Sequence, residues 1–470
     1  MSSTSRRDAL RLLAAGGVAS VAGCSSFGLG SGPNEKPPES LGTSWSPSAD
    51  AWPFRFRDPQ NTARSPHGVA SKPSVEWTDD PGSEESSAGE DGDLVAATPT
   101  RVFAATESED GVRLRALAAD DGARQWDRRL ESPEDHPLPR YGGLVDGTLY
   151  VSGLGNDVVA VDAADGAVRW RRNLYEQVAD AVPEKYLSRY GSSEGFSTMP
   201  LATPDTVLVQ TPYGIHGLAP SEGAEQWRVY LARETDDPVL ARPFGLAVTD
   251  GRVWASYGSP TKLLFAVSVD DDGLSVWQTH LPFENAPGNP VATGDRTALF
   301  ATGVEWSTSP VGTLAAGVRG PTVDWQFPGH AGEGAAVYSR LATDGERAFV
   351  CQATERPERL VVSALCVETG KLDWSHRESL ADRGVSVANG QSFRLCQPVV
   401  AGDSLVVGFG PQYGEESGRG TVLALSRDAG RVQWRTDLSV APREVMVTSE
   451  GLYVGGHRGG VVALASESGD

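Results

Sequence analysis

The chain of 470 residues carries 41 Lys and Arg against 62 Asp and Glu, a formal charge of −21. That charge repels phosphates and anionic lipid surfaces, which excludes general affinity for nucleic acid, and 39% hydrophobic residues exclude wholesale disorder. The 54 Gly and 31 Pro against three Met point to many turns, and so to many short strands.

The first 23 residues read as an address. Ser5-Arg6-Arg7-Asp8-Ala9-Leu10-Arg11 precedes an uncharged apolar stretch from Leu12 to Ala22, too short to stay in a membrane as a spanning helix. The adjacent Arg6 and Arg7 resemble the twin-arginine export signal, which is read by a receptor. Val21-Ala22-Gly23-Cys24 resembles a lipobox, in which Cys24 is lipidated and becomes the new N-terminus. One lipid chain binds a membrane only marginally, so stable anchoring needs two or more. Cleavage before Cys24 removes three Arg and one Asp, taking the charge to −21 − 2 = −23. The expected product is an archaeal-type exported lipoprotein, held on the outer face of the cell membrane through Cys24. Only five of the basic residues are Lys, and a carboxylate-rich, lysine-poor surface resembles those of proteins from salt-loving archaea.

Residues 24–71 are rich in Ser, Gly and Pro, as in Gly28-Leu29-Gly30-Ser31-Gly32-Pro33, and read as a flexible tether. Within them Trp52-Pro53-Phe54-Arg55-Phe56-Arg57-Asp58-Pro59 is too aromatic for a plain linker, and is expected to pack against the domain that follows.

Residues 72–470 repeat. The stretch from Val159 to Trp170 (VAVDAADGAVRW) recurs at Ala116–Trp126, Ala364–Trp374 and Ala424–Trp434, with weaker copies ending at Trp227, Trp277 and Trp325. In six of the seven copies a Gly lies four residues before the Trp; in the Trp325 copy Gly320 lies five before it. Each unit has an internal plan. In the second, Gly142 to Val145, Thr148 to Gly153, Val158 to Asp162 and Val168 to Arg172 read as strands, joined by turns such as Asp146-Gly147. Four short antiparallel strands per unit, repeated, match a β-propeller blade better than a sandwich or barrel.

The two ends set the blade count. The last unit, with strands at Glu444 to Thr448, Leu452 to Gly455 and Val461 to Ala465, lacks a Trp strand. Pro73 to Trp77 is a Trp strand with no unit before it. Joining them predicts an all-β, eight-bladed propeller in which the N-terminal strand closes the last blade and leaves no open sheet edge there.

The pattern Ala-x-Asp-x-x-x-Gly-x-x-x-Trp, complete at Ala160, Asp162, Gly166 and Trp170, resembles the tryptophan-docking motif of the pyrroloquinoline-quinone (PQQ) propeller repeat over about residues 45–470. The resemblance implies that Trp77, Trp126, Trp170, Trp227, Trp277, Trp325, Trp374 and Trp434 are structural docking residues, each ring lying on a neighbouring blade near its glycine. It also implies two chemistries. One branch holds PQQ-dependent alcohol and sugar dehydrogenases, with the cofactor on the propeller axis beneath an adjacent Cys-Cys pair, a calcium on Glu, Asn and Asp side chains, and an Asp base. The other, BamB-like branch has no cofactor and serves as a protein-interaction scaffold. This chain has no adjacent cysteines. The expected reading is therefore a membrane-anchored, monomeric scaffold without catalytic, cofactor or metal residues, binding protein partners. The alternatives are a PQQ- and calcium-dependent dehydrogenase or a propeller for a sugar or other small ligand.

Other chemistry is poorly represented. The seven His are scattered, and no Walker A loop or G-x-S-x-G elbow occurs. Asp270-Asp271-Asp272-Gly273 reads as a repeat turn, because a calcium loop would end in Glu. The acidic run from Glu84 to Asp93 reads as a solvated loop. Cys351 and Cys366 fall on consecutive strands of one blade, where a disulfide is geometrically possible, although buried thiols fit better. Two insertions, Asn173 to Gly195 with local helical character and the glycine-rich Pro411 to Gly420, are the candidate partner loops.

Overall fold

The computed structural model describes residues 38–71, 73–80, 92–108, 111–132, 139–174, 200–231, 242–249, 251–258, 262–281, 288–293, 297–301, 315–319, 322–328, 335–355, 357–381, 393–411, 419–456 and 459–466. Arg6, Arg7 and Cys24 lie outside them, as do residues 175–199 and 412–418 of the two insertions.

These residues form eight sheets arranged as an eight-bladed β-propeller. The second unit shows how closely the strands follow the turn residues: Arg140–Val145, Thr148–Leu154, Asp157–Asp162 and Val168–Asn173 pair in sequence order, all antiparallel. The Asp146-Gly147 turn has positive φ at both residues, the geometry of a tight hairpin whose twist matches its strands. Blades run outward from the axis in chain order. First strands of neighbouring blades pack on one another, as Pro442–Val447 does on Gly92–Ala97. The two middle strands are buried on both faces, whereas in the outermost strand, Val168–Asn173, only Trp170 is buried.

The eighth blade is built from both ends of the domain. Leu452–Gly456 and Val461–Ser466 follow Pro442–Val447, and Pro73–Asp79 adds the fourth strand, pairing antiparallel with Val461–Ser466 so that Trp77 faces Ala463. That closure covers the edge of Val461–Ser466, which would otherwise stand open.

Two expectations need correction. Asp93, read as the end of a solvated loop, lies in the first strand of the first blade with a side chain only 3% exposed; the strand takes it because Leu94, Val95 and Ala96 behind it are core residues. The Cys351–Cys366 bridge is also out of reach. Cys351 faces Val362, so Cys366 sits four residues further along its strand, about 13 Å away at strand rise, well beyond the separation that a disulfide spans. Both thiols are free, as is Cys396. Asp270 to Gly273 is the hairpin turn expected, with Asp272 N–H donating to Asp270 Oδ1 at 3.1 Å.

Candidate axial site

The aromatic leader is where the fold departs from a simple ring of repeats. Residues 50–65 run around one end of the propeller axis, and their carbonyls accept backbone N–H groups at the inner strands of successive blades. Asp50 O takes Ser449 N of the eighth blade, Trp52 exchanges both bonds with Ala97 of the first, and Pro53 O takes Leu144 N of the second. Pro59 O then takes Val248 N of the fourth, Gln60 O Ala292 N of the fifth, Thr62 O Thr343 N of the sixth, and Ala63 O Val400 N of the seventh. The third blade is reached from further upstream, Thr203 Oγ1 donating to Gly42 O at 2.6 Å. Each of the backbone bonds satisfies a group at an inner strand, which a bare axial channel would leave to water.

Local chemistry bends the leader into this arc. Arg57, Asn61 and Ala63 adopt positive φ (78°, 62° and 51°), a region non-glycine residues occupy at a cost of roughly 1–3 kcal/mol each unless their surroundings hold them there. Asp58 clamps the turn: its carboxylate accepts from the N–H and the hydroxyl of Thr62. Asn61 is buried, and its side-chain amide donates to Leu246 O at 2.7 Å and Pro290 O at 2.8 Å, tying the fourth blade to the fifth. Trp52, Phe54 and Phe56 are buried beneath the arc.

From the leader Arg55 reaches into the axis. Its guanidinium meets Glu444 Oε1 at 2.6 Å and Asp93 Oδ1 at 3.6 Å; Arg443 meets Asp93 Oδ1 at 2.7 Å, and Leu94 N–H donates to Glu444 Oε2 at 3.2 Å. Burial, and then the neighbouring Asp93 charge, push the Glu444 carboxyl up to about 8. Asp93 is desolvated as deeply, yet the charges of Arg443 and Arg55 outweigh that and hold it well below the usual carboxylate range. The two carboxyls are thus pushed apart, Glu444 upward by burial and Asp93 downward by the two guanidinium groups. Arg340 and Arg394 complete the lining of the adjoining cavity, Arg340 lying 5.0 Å and Arg55 6.0 Å from the Phe56 ring centre. The cavity is about 30 Å³, room for about two waters. None of these six charged residues was marked as a site by the sequence. The alternation of aromatic and Arg from Trp52 to Arg57 was the available signal.

The PQQ and calcium of the dehydrogenase branch do not fit these residues. A tricyclic quinone needs a slot many times larger than two waters. A divalent cation would stand among four arginines, and Glu444 and Asp93, the carboxylates described there, are already taken by Arg55 and Arg443.

The tryptophans lie away from the axis, between blades. Trp77 Nε1 donates to Ala119 O, Trp126 to Ala163 O, Trp170 to Pro220 O, Trp325 to Val367 O and Trp374 to Arg427 O, at 2.7–3.0 Å. Three residues beyond each acceptor stands a glycine of the next blade, Gly122, Gly166, Gly223, Gly370 or Gly430, all at positive φ, where a Cβ would fall 2.4–2.9 Å from the indole. The Ala of the repeat sits directly opposite the Trp in its own blade, as Ala160 faces Trp170. Trp227 and Trp434 are buried in their outer strands, and Trp277 packs edge-on against Trp254 with centroids 5.4 Å apart.

The family profile described as outer membrane protein assembly factor BamB matches residues 109–303 and 322–470. No curated protein matches the chain. Among solved structures, BamB from Moraxella catarrhalis is 18% identical, covers 77% of this chain and 94% of its own, and has a TM-score of 0.45. The quinohemoprotein alcohol dehydrogenase ADHIIG from Pseudomonas putida HK5 is 10% identical over 90% of this chain and 81% of its own, with a TM-score of 0.54. A europium-containing methanol dehydrogenase is 11% identical over 87% and 90%, with a TM-score of 0.55. At such identities the two dehydrogenases speak for the propeller fold alone. The profile covers well over half of the chain, and this protein therefore belongs to the BamB family of PQQ-like β-propellers.

Proposed function

We propose that this protein is an exported scaffold, lipid-anchored through Cys24, that holds other proteins on the loops of its propeller and catalyses no reaction. The observation that supports this most is the leader: the chain's own residues 50–65 close one end of the axis on which the dehydrogenase branch would carry its cofactor. For contacts with other proteins that leaves the rim of interblade loops, the usual contact surface of repeat folds. The longest insertion by sequence, Asn173 to Gly195, is the first candidate contact.

The test uses the full anchored chain. Crosslinking in its own membranes should capture a defined partner, and deletion of residues 175–195 should abolish that capture while leaving the circular dichroism unchanged. Cys24→Ser should release the protein into the medium. Turnover of alcohols or aldoses on addition of PQQ and calcium, followed with an artificial electron acceptor, would overturn the scaffold reading.

A further inference from the structure

We propose that the propeller face carrying the leader is the face turned toward the lipid surface of the membrane. This rests on the anchor at Cys24 proposed above and adds an orientation to it. In a blade of four antiparallel strands the first and third turns leave on one face, and the second turn and the connection to the next blade on the other. The leader binds at first turns: Trp52 at Ala97, Pro53 at Leu144, Thr62 at Thr343 and Asp50 at Ser449. Further upstream Gly42 lies against the first turn of the third blade, where a Cβ on it would stand 3.1 Å from Asp205. Pro38, the first described residue, is buried just before it. The chain from Cys24 therefore joins the propeller on this face. The long connections, Asn173 to Leu201 and Pro411 to Gly420 among them, leave from the other.

Covalent length decides between the two faces. The fourteen steps from Cys24 to Pro38 reach at most about 50 Å, fully extended. With the leader face toward the lipid, any part of that length serves. With the other face toward it, the chain must first cross the three strands outside the inner one, about 14 Å at about 4.8 Å each. It must then pass the length of a strand such as Thr148–Leu154, about 23 Å. Nearly 40 Å of the reach would run along the protein's own side, and the long connections would still stand between that face and the lipid. A chain held so close to full extension has few conformations, so the entropy of the tether favours the leader face. Adhesion is not what turns it. The third turns on this face present exposed carboxylates at Asp121, Asp165, Glu222, Asp271, Glu368 and Asp428, which anionic headgroups repel within about a Debye length, ~10 Å in 0.1 M salt. The face looks at the membrane across water, and the tether alone keeps it there.

The test reads distance to lipid on the full anchored chain, in vesicles whose headgroups carry an energy-transfer acceptor. Asp120→Cys and Glu131→Cys, at exposed positions, place a donor dye at either end of the outer strand Arg124–Glu131, on the leader face and the opposite face. They stand about 25 Å apart at strand rise. Both are made with Cys366→Ser, which removes the half-buried free thiol. The dye at position 120 should be quenched at least twofold more than the dye at position 131. Inserting a long Gly/Ser segment after Ser31 should erase the difference. Co-sedimentation with the vesicles but equal quenching, or stronger quenching at position 131, would overturn the orientation and leave the anchor standing. A difference that survives the insertion would overturn the tether as its cause. Loss of co-sedimentation would remove the anchor, and the orientation with it.

Discussion

At the scale of the residue, the fold rests on a contact in which one partner must be large and the other must have no side chain. Gly166 adopts a φ of +75°, and a Cβ there would lie 2.9 Å from the Trp126 ring, whose N–H is bound to Ala163 O. Two costs are combined at this glycine, backbone strain and loss of the docked ring. Gly147 separates them: its φ is +70°, but the nearest atom to a Cβ is the end of Arg169, 4.0 Å away. Gly147→Ala should therefore destabilise by about 1 kcal/mol, and Gly166→Ala by about 2–4 kcal/mol as the indole is also displaced. Denaturant midpoints of the two variants check this, and equal losses would show that the ring gives way freely.

At the scale of the element, two segments outside the repeats complete the propeller. Pro73–Asp79 supplies the missing strand of the eighth blade, and residues 50–65 bind the inner strands at the axis. Their losses should differ in kind. A chain beginning at residue 66 keeps its closing strand but loses the burial of Trp52, Phe54 and Phe56, worth about 5–9 kcal/mol as an upper estimate. It should fold with a lowered denaturant midpoint. A chain beginning at residue 81 also exposes the edge of Val461–Ser466, an invitation to pairing between molecules. It should aggregate, as light scattering during refolding would reveal. Two truncations of equal stability would mean that the leader, and not the strand, secures the ring.

At the scale of the molecule, residues from the leader and from the first and last blades meet in a buried charge cluster, and Glu444 is the group in it whose titration falls near neutral pH. Among the described residues, the titratable and charged groups around Glu444 include Arg55 of the leader, Asp93 of the first blade, Tyr141 of the second, Cys396 of the seventh and Arg443 beside it, with Arg340 and Arg394 across the cavity. Raised from an ordinary 4.5 to about 8, Glu444 keeps its proton when the unfolded chain has lost it. Between those values the folded state binds more protons, so this contribution to stability is complete below pH 4.5 and is lost as pH rises through 8. Asp93 acts in the opposite sense, its contribution being lost only in acid. Thermal midpoints should therefore fall between pH 6 and pH 9, and Glu444→Gln should flatten that fall. A wild-type midpoint constant over this range would refute the upward shift of Glu444.

The sequence by itself determined the blades. A turn glycine and a docking Trp are local requirements repeated at nearly constant spacing, so Gly166, Trp170 and their counterparts announce both strands and register, and the unpaired Trp77 strand announces closure. The charged axis was not legible in the same way. Arg55, Asp93, Arg340, Arg394 and Arg443 lie in five unrelated stretches, and no local spacing relates a leader residue to inner strands hundreds of residues away. Asp93 read as solvated because its sequence neighbours are acidic; tertiary structure buried it because two guanidinium groups arrive from elsewhere to hold its charge. A repeat is written in each copy of itself, whereas a site on the symmetry axis exists only once the copies have closed around it.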